Sequence, residues 1–523
     1  MRSHMRFVPA LIVALSGVSL PALVLPDLAF AAPSGTLVIA ENETPENLDP
    51  ANATNSTVDQ LLIGVYDALV QFKAGATEPT PQLAKSWTIS DDGLTYTFTL
   101  RDDVVFHDGS KLTAADVKFT IDRLKAAKAN VLNDLALLSG AEVVDDHTVK
   151  LTLSAPFGPF VSALSRIYIV SKAAVEPHLG DDNGRQWLAV NEAGSGPYTI
   201  TSYKPTEAVT LKAFDKYWGG WDGNHVAEVI FRYVSEPSTQ LSLLKSGEVQ
   251  IAPDVTVEDK LALKTTPGFT VDVGAAATPL YFDFNTASAG PTGNVKFREM
   301  LAKTFDRQLH LDQVLMGLGT LPDGPLPPTW PGHESGTESA FDLDAAKKMV
   351  DDNGWAGTTL TVRYLPAIQE EKSAVEQLQS NLSEIGITLN AEGMTWPAQA
   401  ATLQKVETTS DINMIYSFPL FPDPHAVLNS SFNSALTGAK GGYNWAQYSN
   451  PEVDALLNEA ASSSDQAKRA ELYKKAQQLI GKDYPVITVS FPGSVVVLSD
   501  KVEGYKYNAA HHQTFNYMDI GLK

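Results

Sequence analysis

A chain of 523 residues is too long for one hydrophobic core, so two or three domains are expected. Hydrophobic residues make up 44% and charged residues 19%, an ordinary globular composition, and a formal net charge of −22 argues against nucleic acid or an anionic membrane surface as a partner. With no cysteine, disulfides, thiol catalysis and acylation on a cysteine are all excluded, so no direct membrane anchor is expected.

At the N-terminus, Arg2 and Arg6 precede the apolar run FVPALIVALSGVSLPALVL, and Ala29-Phe30-Ala31 supplies small residues for cleavage. This pattern predicts a secretory signal, residues 1–31, cut after Ala31. Gly17 and Pro21 interrupt the run, and no later stretch has the apolar length a bilayer span requires. The mature protein is therefore expected to be soluble and periplasmic.

The mature chain opens with GTLVIA, read as a buried strand from Gly35 to Ala40. Ser56 or Thr57 can cap a helix over VDQLLIGVYDAL, in which Leu61, Val65 and Leu69 recur at i, i+4 and i+8. SWTIS and LTYTFTLR flank Asp91-Asp92-Gly93 and predict a hairpin with Tyr96, Phe98 and Leu100 on its buried face. Thr113 and Asp116 have capping-box spacing before a helix whose stripe is Val117, Ile121 and Leu124. AEVVDDHTVKLTLS, Ala141 to Ser154, reads as a second hairpin, and GSGPYTITSYKPTEAVTLKAFDKYWGG as a turn, two strands and a loop.

Alternating helix and strand signals follow. STQLSLLKSGEVQIAPDV is a helix, a glycine stop and a strand; TPLYFDFNTAS is an apolar strand ending at Asn285; NVKFREMLAKTFDRQLHLDQVL is a helical pair. Val375, Leu378, Leu382 and Ile385 fit one helix face, Gly386 ends it, and ITLNA is the next strand. DINMIYSF is another strand and runs into a rigid aromatic loop, YSFPLFPDPHAVL. Asn450 caps a helix begun by Pro451, and a helix from Gln466 to Ile480 leads to the strand PVITVSF. This rhythm predicts a mainly parallel sheet with helices on its faces.

Catalytic motifs are missing. There is no G-x-S-x-G elbow and no phosphate-cradling loop, and His333-Glu334 lacks the second histidine of a zinc protease. His511 and His512, adjacent in a strand, would point to opposite faces and not to one ion. No enzyme activity, cofactor or metal is expected.

The run PQLAKSWTISDDGLTYTFTLRDDVVFHDGSKLTAADVKFTIDRL resembles the signature region of the peptide, nickel and oligosaccharide class of bacterial extracytoplasmic solute-binding proteins, family 5, which serve ATP-driven (ABC) importers. GSGPYTITSYKP…FDKYWGG, YFDFNT…FREMLAKTFDR and YSNPEVDALLNEA resemble later blocks in the same order, covering nearly all the mature chain. The resemblance implies an α/β, two-lobed periplasmic-binding-protein-like fold with a third, smaller α+β domain. Domain I would comprise 35–70, 194–272 and 488–523; domain II, 71–193; domain III, 273–487, with two crossovers forming a hinge. A small-molecule solute would be captured between the lobes and delivered by a monomer to the permease transmembrane subunits. The same scaffold also serves chemosensory binding proteins and chelated-nickel binders.

The aromatic loop bears on the ligand. In peptide-binding members the loop resembles D-x-x-D-P or D-x-x-E-P, and its first acid pairs with the ligand's amino terminus. Asp423-Pro424 matches the second half, but Leu420 stands in place of that acid, and Ser417 where tryptophan is common. Leucine cannot neutralise a buried ammonium, although Asp283 or Glu392 could substitute. Pro422-Asp423-Pro424-His425 resembles the nickel branch, with Phe418 as its wall residue, but the segment after His425, AVLNSSFNSALTGAKGGYNW, has no histidine to act as the further ligand that branch uses. Peptides, modified peptides and oligosaccharide-like solutes are the expected classes.

The candidate ligand-binding residues are Tyr416, Phe418, Leu420, Phe421 and Asp423 on the loop, Asn285 at a strand end, and Tyr443, Asn444 and Trp445 after a glycine pair. Each has a structural alternative: packing for the rings, turn capping for Asn285, and helix capping for Asp423. Trp396, opening a helix, is a weaker candidate.

Overall fold

The computed structural model describes Met1 and residues 32–523, apart from 46, 53–55, 130, 132–134, 275–277, 420 and 509–513. The signal segment, Leu420 and the His511-His512 pair thus lie outside the described residues.

In chain order, β1 (Thr36–Glu41) and α1 (Ser56–Leu62) precede two hairpins, β2 (Ala84–Ile89) with β3 (Thr95–Leu100) and β4 (Leu138–Asp145) with β5 (Thr148–Leu153). Between the hairpins lies α2 (Ala114–Ala126), with the Thr113–Asp116 capping box in place. The hairpins make one four-stranded sheet in the order β2-β3-β5-β4.

The chain then lays down β6 (Tyr198–Lys204), β7 (Ala208–Ala213), β8 (Glu228–Tyr233), α3 (Pro237–Ser246), β9 (Ile251–Ala252) and β10 (Phe269–Gly274). Next come β11 (Leu280–Phe284), β12 (Gly319–Thr320), α4 (Leu343–Asn353), β13 (Thr359–Tyr364), α5 (Gln369–Glu384), β14 (Thr388–Gly393), α6 (Trp396–Thr402) and β15 (Ile412–Tyr416). Helices α7 (Pro424–Phe432), α8 (Pro451–Ser462) and α9 (Gln466–Asp483) lead to β16 (Val486–Pro492) and β17 (Ser494–Ser499).

Two large sheets result, ordered β10-β17-β9-β1-β8-β7-β6 and β12-β16-β11-β15-β13-β14. Both are mixed, which corrects the mainly parallel expectation. Strand–helix–strand units such as β13-α5-β14 do pair in parallel, as do β13 with β15 and β1 with β8 and β9. The rest are antiparallel, and where the chain changes lobes the physical cause is its route. The chain leaves the first sheet along β10 and returns to it along β17, and these two strands are antiparallel neighbours. It enters the second sheet along β11 and leaves along β16, again antiparallel neighbours. Each passage between lobes therefore joins strands that are antiparallel neighbours within their sheets, and Gly493 alone separates β16 from β17. The expected domain boundary at 487/488 lies inside β16; the change of sheet itself falls at Gly493.

A second correction concerns the first helix. It stops at Leu62 and does not continue to Leu69, although Leu61, Val65 and Leu69 are all buried as the spacing implied. The carbonyls of Gly64 and Val65 accept hydrogen bonds from Tyr198 and Gly196, both at 2.9 Å, instead of from a following helical turn. Gly64 also lies so close to the Tyr517 ring that a β-carbon would sit 2.1 Å from it. Tertiary contacts thus override the helical period here.

The largest core joins the seven-stranded sheet to the four-stranded one. Another lies between the six-stranded sheet and α5, whose Val375, Leu378 and Leu382 point inward with Ile385 as expected. A third gathers α7, α8 and α9 around Tyr281. No helix among the described residues is long and apolar enough to cross a membrane.

Candidate functional site

A cavity of about 360 Å³ lies against the six-stranded sheet, the lower part of the range usual for small-molecule sites. Its base is built from strands. Tyr281 and Asp283 on β11 are two residues apart and so share a face, and Ile415 on β15 is the cross-strand partner of Tyr281. Leu365 and Ile368, after β13, and Glu371, in the first turn of α5, add a second side.

Aromatic rings make the walls. Tyr416 ends β15 and stacks on Phe418, with centroids 5.7 Å apart and planes 26° from parallel. Trp396, the first residue of α6, meets Trp445 edge-on at 6.2 Å, and Tyr443 meets Trp445 edge-on at 5.8 Å. Phe418 and Tyr443 are 53% and 62% exposed, so each retains an unburied face for a solute to cover.

The polar groups differ in their engagement. Tyr416 donates its hydroxyl to Glu370 Oε2 at 2.6 Å, and the other Glu370 oxygen takes a hydrogen bond from Ser490 and faces His310 Nε2 at 3.3 Å. Glu370 is therefore committed to holding the Tyr416 ring. The adjacent Glu371 is less satisfied. Its Oε2 accepts from the Leu365 amide at 2.7 Å, while its Oε1 has no partner among the described residues. Burial, reinforced by the Glu370 charge, pushes the Glu371 carboxyl up to about 8. Asp283 is buried, its Oδ2 is also unpartnered, and burial holds it well above the usual carboxylate range.

Four of the nine candidates line this cavity: Tyr416, Phe418, Tyr443 and Trp445; Trp396 does so too. Four others stand elsewhere. Asn285 donates its amide to the carbonyls of Val406 and Thr409, tying the strand end to a loop. Asn444 is fully buried and spans the Asn433 and Tyr448 carbonyls and the Tyr448 amide, which holds the turn carrying Tyr443 and Trp445. Phe421 packs into the core of the seven- and four-stranded sheets. Asp423 caps α7 through the His425 amide at 2.9 Å and pairs with Arg469.

The loop histidine also turns away. His425 packs edge-on against Phe157 at 5.2 Å, does not line the cavity, and is pushed down to about 4 by burial. Of the two alternative acids, Glu392 is paired with Arg363 at 3.0 Å, whereas Asp283 is in the cavity. Tyr281 and Glu371 were not foreseen. The alternation along LYFDF places Tyr281 with Asp283, but Glu371 arrives from another element and has no local signal.

Two lobes joined by strand crossings, with a ring-walled cavity on one of them, define the architecture of a ligand-capturing protein. Sequence comparison gives the family. The profile of the bacterial extracellular solute-binding proteins, family 5 Middle, matches residues 78–438, and the chain belongs to that family. Heme-binding protein A of Haemophilus influenzae is 28% identical over 528 aligned positions, covering 95% of this chain and 94% of that protein. The probable D,D-dipeptide-binding periplasmic protein DdpA of Escherichia coli is 29% identical, covering 93% and 94%. The solved structure of HbpA2 from Haemophilus parasuis superposes with a TM-score of 0.84 at 26% identity, covering 94% of this chain and all of that one. The fold and the solute-binding role expected from the sequence both hold.

Proposed function

We propose that the protein captures a small organic solute in the aromatic cavity of the six-stranded lobe and delivers it to the permease subunits of an ABC importer. The observation that carries the assignment is the cavity itself: unburied ring faces and two unsatisfied carboxyls, on the lobe that the chain enters along β11, a strand that lines the cavity. A solute held there gains contacts from the opposite lobe only on closure. It therefore shifts the open–closed equilibrium by its differential affinity. A peptide-like or otherwise nitrogen-bearing solute suits these groups, in keeping with the dipeptide named for the Escherichia coli relative. Turning His425 away from the cavity disfavours direct capture of a chelated metal by the loop.

The chain acts outside the inner membrane in this reading, after cleavage near Ala31, and as a monomer. Mass measurement of the exported form tests the cleavage, and sedimentation tests the monomer.

The deciding experiment uses native mass spectrometry of the purified mature protein to identify any retained solute. Tryptophan fluorescence then follows its rebinding. Trp396 and Trp445 both line the cavity, so the signal is expected to change on binding and to be lost in a Trp396→Phe/Trp445→Phe variant. Unchanged affinity in a Tyr416→Ala/Trp445→Ala variant overturns the assignment of the seat. Recovery of a chemically altered solute overturns the non-catalytic role.

A further inference from the structure

The charge inside the cavity is one-sided. Asp283 and Glu371 line it, and no lysine, arginine or histidine is among its lining residues. Asp283 is 3% exposed and Glu371 1% exposed, and each keeps one oxygen without a hydrogen-bond partner among the described residues. Neither takes part in an ion pair among the described residues. Buried polar atoms are ordinarily satisfied, so two orphaned carboxyl oxygens at one cavity mark donors that come from a ligand.

Elsewhere the described arginines are committed. Seven pair with acids: Arg101, Arg123, Arg166, Arg232, Arg307, Arg363 and Arg469. Arg185 and Arg298 donate to backbone carbonyls. An anionic ligand group entering the cavity would thus meet two carboxyls and no uncommitted guanidinium among the described residues. A cation meets the reverse: two acid groups with no competing cation among the lining residues, and the faces of Tyr416, Phe418, Trp396 and Trp445, whose quadrupoles attract positive charge.

We propose that Asp283 and Glu371 form a cation seat, so that the solute is an organic ammonium or guanidinium with a flat or apolar body. This rests on the cavity being the solute site. The head group donates N–H bonds to Asp283 Oδ2 and Glu371 Oε1, and the body lies among the rings. The seat is supplied by a strand of the sheet and by the first turn of α5. It is therefore separate from the loop position, Leu420, at which the resemblance places the usual amine-pairing acid. Both carboxyls sit high when the cavity is empty because burial disfavours their charge. A cation reverses that preference, and its binding expels a proton.

The test is calorimetry and thermal shift with matched probes: Phe-Leu amide, phenethylamine and phenethylguanidine as cations, N-acetyl-Phe-Leu amide as the neutral control and N-acetyl-Phe-Leu as the anion. The cations are expected to bind at least tenfold tighter than either acetylated form. Asp283→Asn and Glu371→Gln, near-isosteric changes, are each expected to remove most of that preference. Binding to wild type should release protons, seen as a heat that scales with buffer ionisation enthalpy. Tightest binding of the acetylated anion, absence of binding by all three cations, or full cation preference in both variants overturns the proposal. The wild-type comparison needs no variant and so stands even where a substitution impairs folding. If Tyr416→Ala weakens the solute found by mass spectrometry while the acid variants do not, the cavity reading survives and the cation seat fails. If neither kind of variant matters, the cavity reading itself fails.

Discussion

Asp423 and Arg469 form an ion pair 2.6 Å long in which both side chains are almost wholly withdrawn from water. The pair fastens the end of the aromatic loop to α9. Asp423 also caps α7, and Arg469 reaches the Ala460 carbonyl and the Tyr473 hydroxyl as well. Removing one partner leaves an uncompensated buried charge. Arg469→Met is therefore expected to destabilise the fold by about 3–5 kcal/mol, read as a lower urea midpoint. Asp423→Ala should cost about as much, plus about 1 kcal/mol for the lost cap. A change below about 1 kcal/mol in both would show that the pair has little structural weight.

Two phenylalanines three residues apart should behave in opposite ways. Phe418 is half-exposed at the cavity, so Phe418→Ala is expected to leave stability within about 0.5 kcal/mol and to weaken solute binding roughly tenfold. Phe421 is buried in the core of the other lobe, so Phe421→Ala should cost about 3–5 kcal/mol of stability. Affinity of the folded Phe421 variant should be near wild type. Parallel denaturation and titration of the two variants checks this.

The pH dependence follows from Glu371, held at about 8 against an ordinary value of 4.5. The unfolded chain loses this proton above about 4.5 while the folded chain keeps it. The group's stabilisation is therefore full below the ordinary value and is lost as pH rises through about 8. Facing or adjoining groups are Glu370, which raises it, and His310 and Tyr416, which are engaged with Glu370. Glu41, Asp59 and Asp67 are also raised and act with the same sign, so the useful quantity is a difference. Between pH 5 and 9, stability of wild type relative to Glu371→Gln should fall. A flat difference would count against a buried, protonated Glu371. Affinity for a cationic solute should instead rise with pH to about 8, because the ionised carboxyl binds it.

Gly158 sits in a close approach between the inserted four-stranded region and the helices of the second lobe. Its amide donates to the Ala461 carbonyl at 2.7 Å, and a β-carbon there would lie 1.9 Å from the Ser463 carbonyl oxygen. Both obstacles are backbone, so the clash cannot be relieved by a rotamer change. Gly158→Ala should lower the melting temperature through an overpacking cost of about 1–3 kcal/mol. An unaltered melting curve would show that this seam yields freely.

Much of this architecture was legible in the sequence where local signals were strong. The Thr113–Asp116 box, the α5 stripe and the Asn450-Pro451 start all rest on spacing alone, and each is present. What failed was decided at long range. The helix expected to reach Leu69 ends at Leu62 because Gly196 and Tyr198 capture its carbonyls, and their position is invisible from a window of twelve residues. Strand direction was misjudged because it depends on where the chain re-enters each sheet. At the cavity, the rings of the loop and the Tyr443–Trp445 turn were nameable from residue type. Asn285 and Asn444 are polar residues in the right neighbourhood whose hydrogen bonds turn inward. Glu371 was missed because its neighbour Glu370 is equally acidic, and only burial separates the committed carboxylate from the open one.

The placement of β17 has a consequence for the order in which the chain can fold. Residues 494–499 occupy an interior position of the seven-stranded sheet, between β9 and β10, although they come from near the end of the polypeptide. Until they arrive, β9 and β10 have no common neighbour and the sheet presents two unpaired edges. The first lobe to be synthesised is thus among the last to be completed. A ribosome or secretion channel that has released only the first 490 residues holds a chain whose opening lobe cannot yet close, and the second lobe can assemble ahead of it.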